Sequence, residues 1–309
     1  MINFRFHLVS LTGIFLALGI GIAVGATVVD RATVDALQSR LDGVERRVNA
    51  TDKENAGLQS DLRRWAAFAD QAGDAAVAGR LEGVPVLVIG IAGTDRGPVD
   101  ALRQDLGVAG ARLEGTAWFT SKFKLEKPED ISQLAGIVGV TPRGAISVRR
   151  NALSRVAADL AADQPSGVLA ALRDAAFVDF EEPAGAPVDL AAVPAAGSRF
   201  VVASGPGSEV ADGDLAIPFA QQLSHAARAR VLAVESGRER RGKVAASRGV
   251  FVGPLRADEA LAGLLSTIDD LEDFKGRFAA IYALRDLGDG KVGHFGVGPG
   301  ATRLVPETA

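Results

Sequence analysis

The chain has 309 residues, of which 48% are hydrophobic, and it carries a formal charge of −4. It is long enough to bury a sizeable core in addition to a membrane segment. A duplex nucleic-acid binder usually carries a basic patch, so the acidic balance argues against nucleic acid as a partner. The sequence contains no cysteine, which excludes disulfide bonds and thiolate metal sites.

The first predicted element is a membrane-spanning helix. No residue between positions 8 and 29 is charged, and a helix needs about 20 apolar residues to cross a bilayer core. Arg5 precedes this run, so the positive-inside tendency places the N-terminus in the cytoplasm and the rest of the chain outside it. A cleaved signal peptide is the alternative, because residues 23–25 resemble a small-residue cleavage site, but a signal core has only about 7 to 15 apolar residues. We therefore predict an uncleaved anchor over residues 1–29 of a single-pass cell-membrane protein, with the C-terminal domain in the periplasm or envelope.

Small residues recur every four positions in this segment and line one face of the predicted helix. Such a stripe lets a second helix approach closely within a membrane. The alternative is that the stripe reflects only the frequency of glycine and alanine in membrane helices. The candidate packing residues are Gly13, Ala17, Gly21 and Gly25.

Residues 30–72 follow a heptad pattern that predicts a coiled-coil stalk. Asn55 occupies an a position, where a polar residue fixes the register of two-stranded parallel coils at a cost in stability. Arg40 at g would face Glu45 at e of the partner helix, as a parallel homodimer requires. The interface residues are Val34, Leu41, Val48, Asn55 and Leu62 at a, and Leu37, Val44, Leu58 and Trp65 at d.

Two alternatives stay open for the stalk. It could pair with a coiled-coil partner of different sequence in the membrane. It could also be an amphipathic helix that folds back onto its own domain, anchored by Trp65 and Phe68. We favour a parallel coiled coil over the folded-back helix, because a parallel coil and a small-residue stripe in the membrane both bring the same chain ends together. Whether the coil pairs with an identical or a different chain stays open.

Beyond a joint at 73–83, residues 84–309 predict a doubly wound, Rossmann-like α/β domain with a parallel sheet. Segment 181–198, rich in proline and alanine, is expected to be a surface excursion or a seam between two halves. Strands are predicted at 84–91, 111–119, 176–180, 200–204, 231–234 and 250–252. Helices are predicted at 98–106, 128–134, 145–162, 168–174, 218–229, 258–268 and 278–287.

Two loops follow predicted strands, where α/β domains tend to bind ligands. The first loop contains Gly90, Gly93 and Gly97, whose spacing fits neither the G-x-G-x-x-G nor the Walker pattern. The second, at 204–208, has no nearby lysine and no G-x-S-x-G motif. Tight turns are the preferred interpretation of both loops. A small-ligand sensor that uses the loops after Ile91 and Val202 is a weaker hypothesis.

No catalytic, cofactor or metal site is predicted, and a non-enzymatic protein is expected. The three histidines are His7, His225 and His294, and Met1 is the sole methionine, whereas a soft copper site uses Cys, Met or His ligands. The acidic run at 269–273 is interpreted as the solvated flank of a helix rather than an acid–base pair.

Both ends of the chain resemble one family. The opening MINFRFHLVSL, with IFLALGIG at 14–21, resembles the start of the actinobacterial MctB family, the mycobacterial copper transport protein B group. The tail is similar too, in YAL at 282–284 and DGKVGHFG at 289–296. The membrane, coil and α/β layout agrees along nearly the full length.

The resemblance implies an envelope protein of mycolic-acid bacteria and their relatives, with a role in copper efflux or tolerance or as an outer-membrane channel. A single span fits a channel poorly unless many copies assemble. For some relatives the resemblance implies a role in cell separation, in which the protein and a membrane partner control peptidoglycan hydrolases. Two hypotheses follow. The first is a membrane-anchored copper-export protein, and the second is a coiled-coil dimeric scaffold or regulator of cell-wall machinery.

Overall fold

The computed structural model describes residues 4–141, 143–183, 188–237 and 248–307, including every side chain except those of 27–32, 66 and 70. The chain divides into two compact units, Met1–Ala67 and Phe68–Ala309. The second unit is called the head below.

The first helix, α1, runs over Phe4–Val77. Its part Phe4–Ala26, of 23 residues, has a mean hydropathy of 2.2. At 1.5 Å per residue this part extends about 34 Å, which is enough to cross a hydrocarbon core of about 30 Å. Among the described residues it is the one helix long and apolar enough to span a bilayer. The predicted N-terminal apolar helix is therefore confirmed.

The strands and helices of the head alternate through most of its length. Its described strands are β1 (Pro85–Ile91), β2 (Arg112–Phe119), β3 (Val178–Glu181), β4 (Arg199–Ser204), β5 (Val231–Glu235), β6 (Leu265–Ile268) and β7 (His294–Phe295). Its described α-helices after α1 are α2 (Arg96–Val108), α3 (Pro128–Val138), α4 (Ala145–Ala161), α5 (Val168–Asp174), α6 (Ala216–Ala226), α7 (Val252–Ala257), α8 (Glu259–Ala262) and α9 (Phe274–Gly288). Two 3-10 turns lie at Ser121–Lys124 and Leu190–Ala192.

The strands form one sheet in the order β3-β2-β1-β4-β5-β6-β7. Every neighbouring pair is parallel except β2 with β3. The antiparallel β3 departs from the predicted parallel sheet, because the chain returns beside the end of β2, where Phe119 pairs with Val178. The order reverses between β1 and β4, so the loops after these two strands meet at the carboxyl edge. The predicted α/β class is confirmed.

Both faces of the sheet are buried. Along β1, Leu87 and Ile89 belong to one apolar cluster, while Val86 and Val88 belong to another. Successive strand residues point to opposite faces, so the two clusters lie on the two sides of the sheet. The first cluster includes buried residues of α3 to α7, and the second includes residues of α2 and α9. A continuous apolar strand such as β1 fits this burial on both faces.

Two predictions in the second half of the head are wrong. Residues 250 and 251 form a turn and Val252 begins α7, and the carboxylate of Glu235 accepts the backbone N–H groups of all three residues. The helix predicted at 258–268 is the short helix α8 followed by β6. Leu261, Leu264 and Leu265 have helical spacing, but tertiary pairing of β6 with β5 overrides it.

The predicted joint at 73–83 begins inside α1 and then turns toward β1. A Cβ at Gly73 would lie 2.1 Å from the Phe274 ring, so glycine permits close packing there. Val77 and Leu81 are buried in the second cluster, and the Tyr282 hydroxyl donates to the carbonyl oxygen of Ala76 at 3.0 Å. The last turn of α1 is thus part of the head core. Of the predicted seam at 181–198, residues 184–187 lie outside the described residues.

Candidate functional site

The loops after β1 and β4 pack directly against each other at the carboxyl edge of the sheet. Gly93 has a φ of +88°, and a Cβ there would lie 2.4 Å from the carbonyl oxygen of Gly207. The backbone N–H of Glu209 donates to the carbonyl oxygen of Ala92 at 2.7 Å. Glycine therefore lets two backbones touch at a position where open α/β sheets commonly hold a ligand.

A hydroxyl cluster joins the two loops. Ser204 Oγ lies 2.7 Å from Ser208 Oγ and donates to Asp212 Oδ1 at 2.5 Å. Thr94 Oγ1, from the first loop, lies 3.4 Å from Ser208 Oγ. Burial raises the pKa of Asp212, and hydrogen bonds from the two serines oppose that rise. Because these groups hydrogen-bond to one another, the cluster serves to hold the loops together.

Glu235, at the end of β5, is a buried carboxylate that organises the start of α7. Burial raises its pKa, and backbone hydrogen bonds oppose the rise. Four consecutive N–H groups donate to it at distances from 2.6 to 3.3 Å, those of Gly249, Val250, Phe251 and Val252. This single side chain accepts N–H groups at the start of α7, where a helix offers its own donors no acceptor.

A buried ion pair forms the centre of the neighbouring network. Arg256 Nη1 donates to Asp269 Oδ2 at 2.5 Å, and the two side chains are 2% and 0% exposed. The same guanidinium donates to Thr267 Oγ1 at 2.7 Å and to the carbonyl oxygens of Phe295 and Pro299 at 2.7 and 3.0 Å. A buried charge pair of this kind needs such additional hydrogen bonds to offset desolvation.

The C-terminal loop closes over the carboxylate of Asp269. The N–H groups of Val297 and Gly298 donate to its two oxygens at 2.8 and 2.9 Å. Gly296 has a φ of +124°, and a Cβ there would lie 2.3 Å from Asp269 Oδ1. The prediction that the run 269–273 is a solvated flank is wrong for Asp269 and Asp270, because both directly follow β6 and remain beneath the edge of the sheet.

Asp270 is fully buried and differs from Asp269 in its surroundings. Neither of its carboxylate oxygens has a hydrogen-bond partner among the described residues, and Lys275 Nζ approaches Oδ2 at 3.4 Å. Burial raises the pKa of Asp270, while the charge of Lys275 opposes the rise. The buried hydroxyl of Ser236, just after β5, also lacks a partner within the described residues. The carboxyl edge thus combines a satisfied ionic network with an unsatisfied carboxylate.

Association is predicted from the sequence to involve residues of α1, which precedes the buried groups described above in the sequence. A Cβ at Gly13, Gly21 or Gly25 would meet no atom within 4 Å, and Ala17 is exposed. Asn55 is exposed as well. Half or more of each apolar seam residue is exposed, namely Val34, Leu37, Leu41, Val44, Val48, Leu58, Leu62 and Trp65. The pairing of this face with a second helix stays a prediction.

Comparison with known proteins covers nearly the whole chain. A family described as "Copper transport outer membrane protein, MctB" matches residues 1–306. The chain belongs to the MctB family. Proteins named "Copper transporter MctB" from Mycobacterium tuberculosis and Mycobacterium bovis are 28% identical to it over 327 residues, covering 99% of each chain. The protein of that name from Mycobacterium leprae is 26% identical over 340 residues, covering 99% of this chain and all of the relative.

The tail that resembles the MctB family in sequence contributes to the buried network. Phe295 supplies a carbonyl oxygen to Arg256, and Gly296 leaves room for the Asp269 carboxylate. Gly293 faces the Phe295 ring, since a Cβ there would lie 2.4 Å from it. In the sequence, this tail is apparent only as a family resemblance. Its glycines were the available signal that backbone packs closely there.

His294 is a candidate ligand for copper, the metal named in the description of the MctB family. His294 Nδ1 lies 3.0 Å from Thr267 Oγ1 and Nε2 lies 3.2 Å from the carbonyl oxygen of Ala262. Burial and the charge of Arg256 lower the pKa of His294, so the ring is neutral at pH 7, and Nε2 carries the proton because a carbonyl only accepts. Both ring nitrogens are thus engaged. Among the described residues, no group of three or more His, Asp or Glu side chains is placed to hold a metal ion.

Proposed function

We propose that this chain is a non-enzymatic, membrane-anchored envelope protein that contributes to copper export or tolerance through a partner. The match of residues 1–306 to the MctB copper transport family carries the proposal. The relatives named copper transporters align over nearly their full length, so the assignment does not rest on one shared segment.

The indirect route follows from the ligand chemistry of the chain. Cu(I) prefers thiolate and thioether ligands, and imidazole is the next donor of choice. The sequence offers no cysteine, one methionine and three histidines. One of these, His294, already uses both ring nitrogens within the head. A partner that ligates the metal would supply what these residues lack.

The proposed topology has one membrane helix, a cytoplasmic N-terminus and an extracytoplasmic head. The apolar part of α1, Phe4–Ala26, supports a single span, and Arg5 precedes most of it. We further propose that the stalk, residues 30–72, is a parallel coiled coil. Its support is an exposed seam of heptad spacing with Asn55 at an a position and g–e′ pairs of opposite charge.

For the head we infer a doubly wound architecture used as a structural or recognition domain. The order β3-β2-β1-β4-β5-β6 and the helices on both faces support this description, with β3 reversed and β7 added at the far edge. The serines and carboxylates at the carboxyl edge are largely engaged in hydrogen bonds that hold loops, which supports a role other than catalysis.

A second candidate function is a dimeric scaffold that controls cell-wall hydrolases during cell separation. The exposed apolar seam of α1 supports this candidate as well, because an interaction face of this length suits a scaffold as well as a transporter accessory. Both candidates require the seam. They differ in whether copper or septation changes when the protein is lost.

The test compares a deletion strain with its parent across a series of copper concentrations. Cell-associated copper is measured by elemental analysis, and septa are imaged in the same cultures. Excess copper in the mutant, restored by the wild-type chain, is expected. Unchanged copper together with unseparated cells would overturn the copper proposal and leave the scaffold.

Complementation then asks whether the seam is required. Leu41→Asp and Leu58→Asp place charges on the seam, while Ala50→Asp and Ala56→Asp place the same charges on outer c and b positions of the coil. We expect only the outer-face pair to restore normal copper levels. Equal rescue by both pairs would contradict action through a coiled-coil partner.

A further inference from the structure

A lysine-lined cleft lies just after β2 at the carboxyl edge of the head. Three of the seven lysines of the chain fall within six consecutive residues, 122–127. The cleft has a volume of about 270 Å³ and is lined by Ser121, Lys122, Lys124, Glu126, Lys127 and Asp130. None of these residues belongs to the ionic network around Arg256.

The backbone that carries these lysines is held firmly from beneath. Phe123 is fully buried, with its ring centroid 5.0 Å from that of Phe119 and 5.3 Å from that of Phe177. Arg149, itself buried, donates to the carbonyl oxygens of Phe123 and Lys124 at 3.2 and 3.4 Å. A site whose backbone is fixed in this way loses less conformational entropy when it binds.

Lys122 is positioned by its own contacts. Its Nζ donates to Gln133 Oε1 at 2.6 Å and to the carbonyl oxygen of Ala175 at 2.8 Å, and it lies 4.6 Å from the centroid of the Phe177 ring. Asp130 lies 3.5 Å from the same ammonium and partly neutralises it. Lys122 therefore forms an ordered wall of the cleft.

Lys124 and Lys127 carry the other two positive charges that line the cleft. Both are exposed, and within the described residues neither side chain has an ion pair or hydrogen bond. Lys127 is also the N-cap residue of α3 and makes no side-chain cap hydrogen bond, and Glu129 and Asp130 lie in the first turn of that helix. Glu126 is the one lining carboxylate not paired with a lysine. The local balance around the cleft thus favours an anion, although the whole chain is acidic.

We propose that this cleft binds a phosphate group. Planar carboxylates are matched best by the fork of arginine, which this chain uses elsewhere, whereas the ammonium group of lysine binds phosphate as a compact charge with three rotatable donors. The volume is sufficient for one tetrahedral anion with a few waters. The phosphate could be free or could belong to a phosphodiester headgroup or polymer.

Calorimetric titration of the full-length protein in detergent micelles tests the proposal. Inorganic phosphate is the first probe, with chloride at equal ionic strength as its reference. We expect Lys124→Gln and Lys127→Gln each to weaken phosphate binding about tenfold, because each removes one charge-assisted contact. Lys291→Gln, at an exposed lysine paired with Asp289, is the matched control and should bind like the wild type.

Two results would overturn the proposal. One is a phosphate titration that does not differ from the chloride reference, and the other is an equal loss of binding in the Lys291→Gln control. Both cleft lysines are exposed, so their replacement should leave the fold intact, and thermal unfolding of each variant checks this. A second titration with glycerophosphoglycerol identifies the source. Binding of this probe indicates a phosphodiester, whereas binding of inorganic phosphate alone indicates a free anion.

Discussion

The guanidinium of Arg256 connects three parts of the head, namely β6, β7 and the C-terminal loop. It donates to Thr267, to Asp269 and to the carbonyl oxygens of Phe295 and Pro299. Replacing it with an apolar side chain would leave the carboxylate of Asp269 buried beside two N–H donors but without its counter-charge. The contribution of this network to stability therefore depends on Arg256.

For Arg256→Met we expect the free energy of unfolding to fall by about 3 to 5 kcal/mol, the usual cost of breaking a buried ion pair. Urea denaturation of the purified protein measures this loss. Arg173→Met is the control, because its ion pair with Asp174 is largely exposed and should be worth about 1 kcal/mol or less. Equal losses in the two variants would show that burial does not determine the cost.

A second prediction at this scale concerns Asp270. Its pKa is raised by burial, so the folded state holds this proton more tightly than the unfolded state does. Its stabilising contribution is present at low pH and is lost as pH rises through the folded-state pKa. Asp270→Asn mimics the protonated form and should raise the free energy of unfolding at pH 7 by on the order of 1 kcal/mol.

Thermal unfolding across the acid-to-neutral range checks this prediction for Asp270. The difference between Asp270→Asn and wild type should shrink as pH falls. Asp273→Asn removes a half-exposed carboxylate that pairs with the same lysine, so it should lower the free energy of unfolding at pH 7 rather than raise it. If Asp270→Asn is less stable than wild type at pH 7, the prediction that burial of this charge costs stability is contradicted.

At the scale of single elements, α1 offers a test of the predicted coil. Asn55→Leu should strengthen association while loosening its stoichiometry, because a polar a position specifies two strands at a cost in stability. Analytical ultracentrifugation of the full chain in detergent measures the mass of the assembly before and after the change. Gly57→Ala, at an outer position where an added Cβ meets nothing, is the control and should leave stoichiometry unchanged. A monomer in every case would show that the coil is not intermolecular.

Most elements of the head could be predicted from the sequence because their apolar periodicity is local. The strands β1, β2, β4 and β5 and the helices α3, α4 and α5 lie close to their predicted positions. Short elements were missed for a physical reason. β6 has four residues and β7 has two, so neither is long enough to show a period, and each becomes a strand only through pairing with its neighbour.

At the scale of the whole molecule, the prediction concerns topology. The chain has no cysteine, so a single introduced cysteine reports its own exposure to a membrane-impermeant maleimide. Val297→Cys, at an exposed head residue, should be labelled in intact spheroplasts. Phe4→Cys, at the start of α1, should be labelled only after the membrane is permeabilised. The reverse pattern would place the head in the cytoplasm.

The sequence alone determined the N-terminal apolar helix, the α/β class and the family resemblance, and it predicted the heptad seam. Each of these depends on residue order over a short or regular stretch: an uncharged run, an alternation of apolar segments, a repeat, or a motif at a chain end. The family match over residues 1–306 confirms the resemblance. Features of this kind need no knowledge of which distant residues meet.

Only the tertiary structure decided what the carboxylates of the head do. Glu235 and Asp269 look like ordinary acidic residues in the sequence, yet one holds the backbone at 249–252 and the other lies beneath the loop at 296–298. The partners of Asp269 are 13 to 29 positions away along the chain. Whether a charge is solvated or buried depends on which strands become neighbours, and that pairing brings together residues whose sequence neighbourhoods carry no trace of each other.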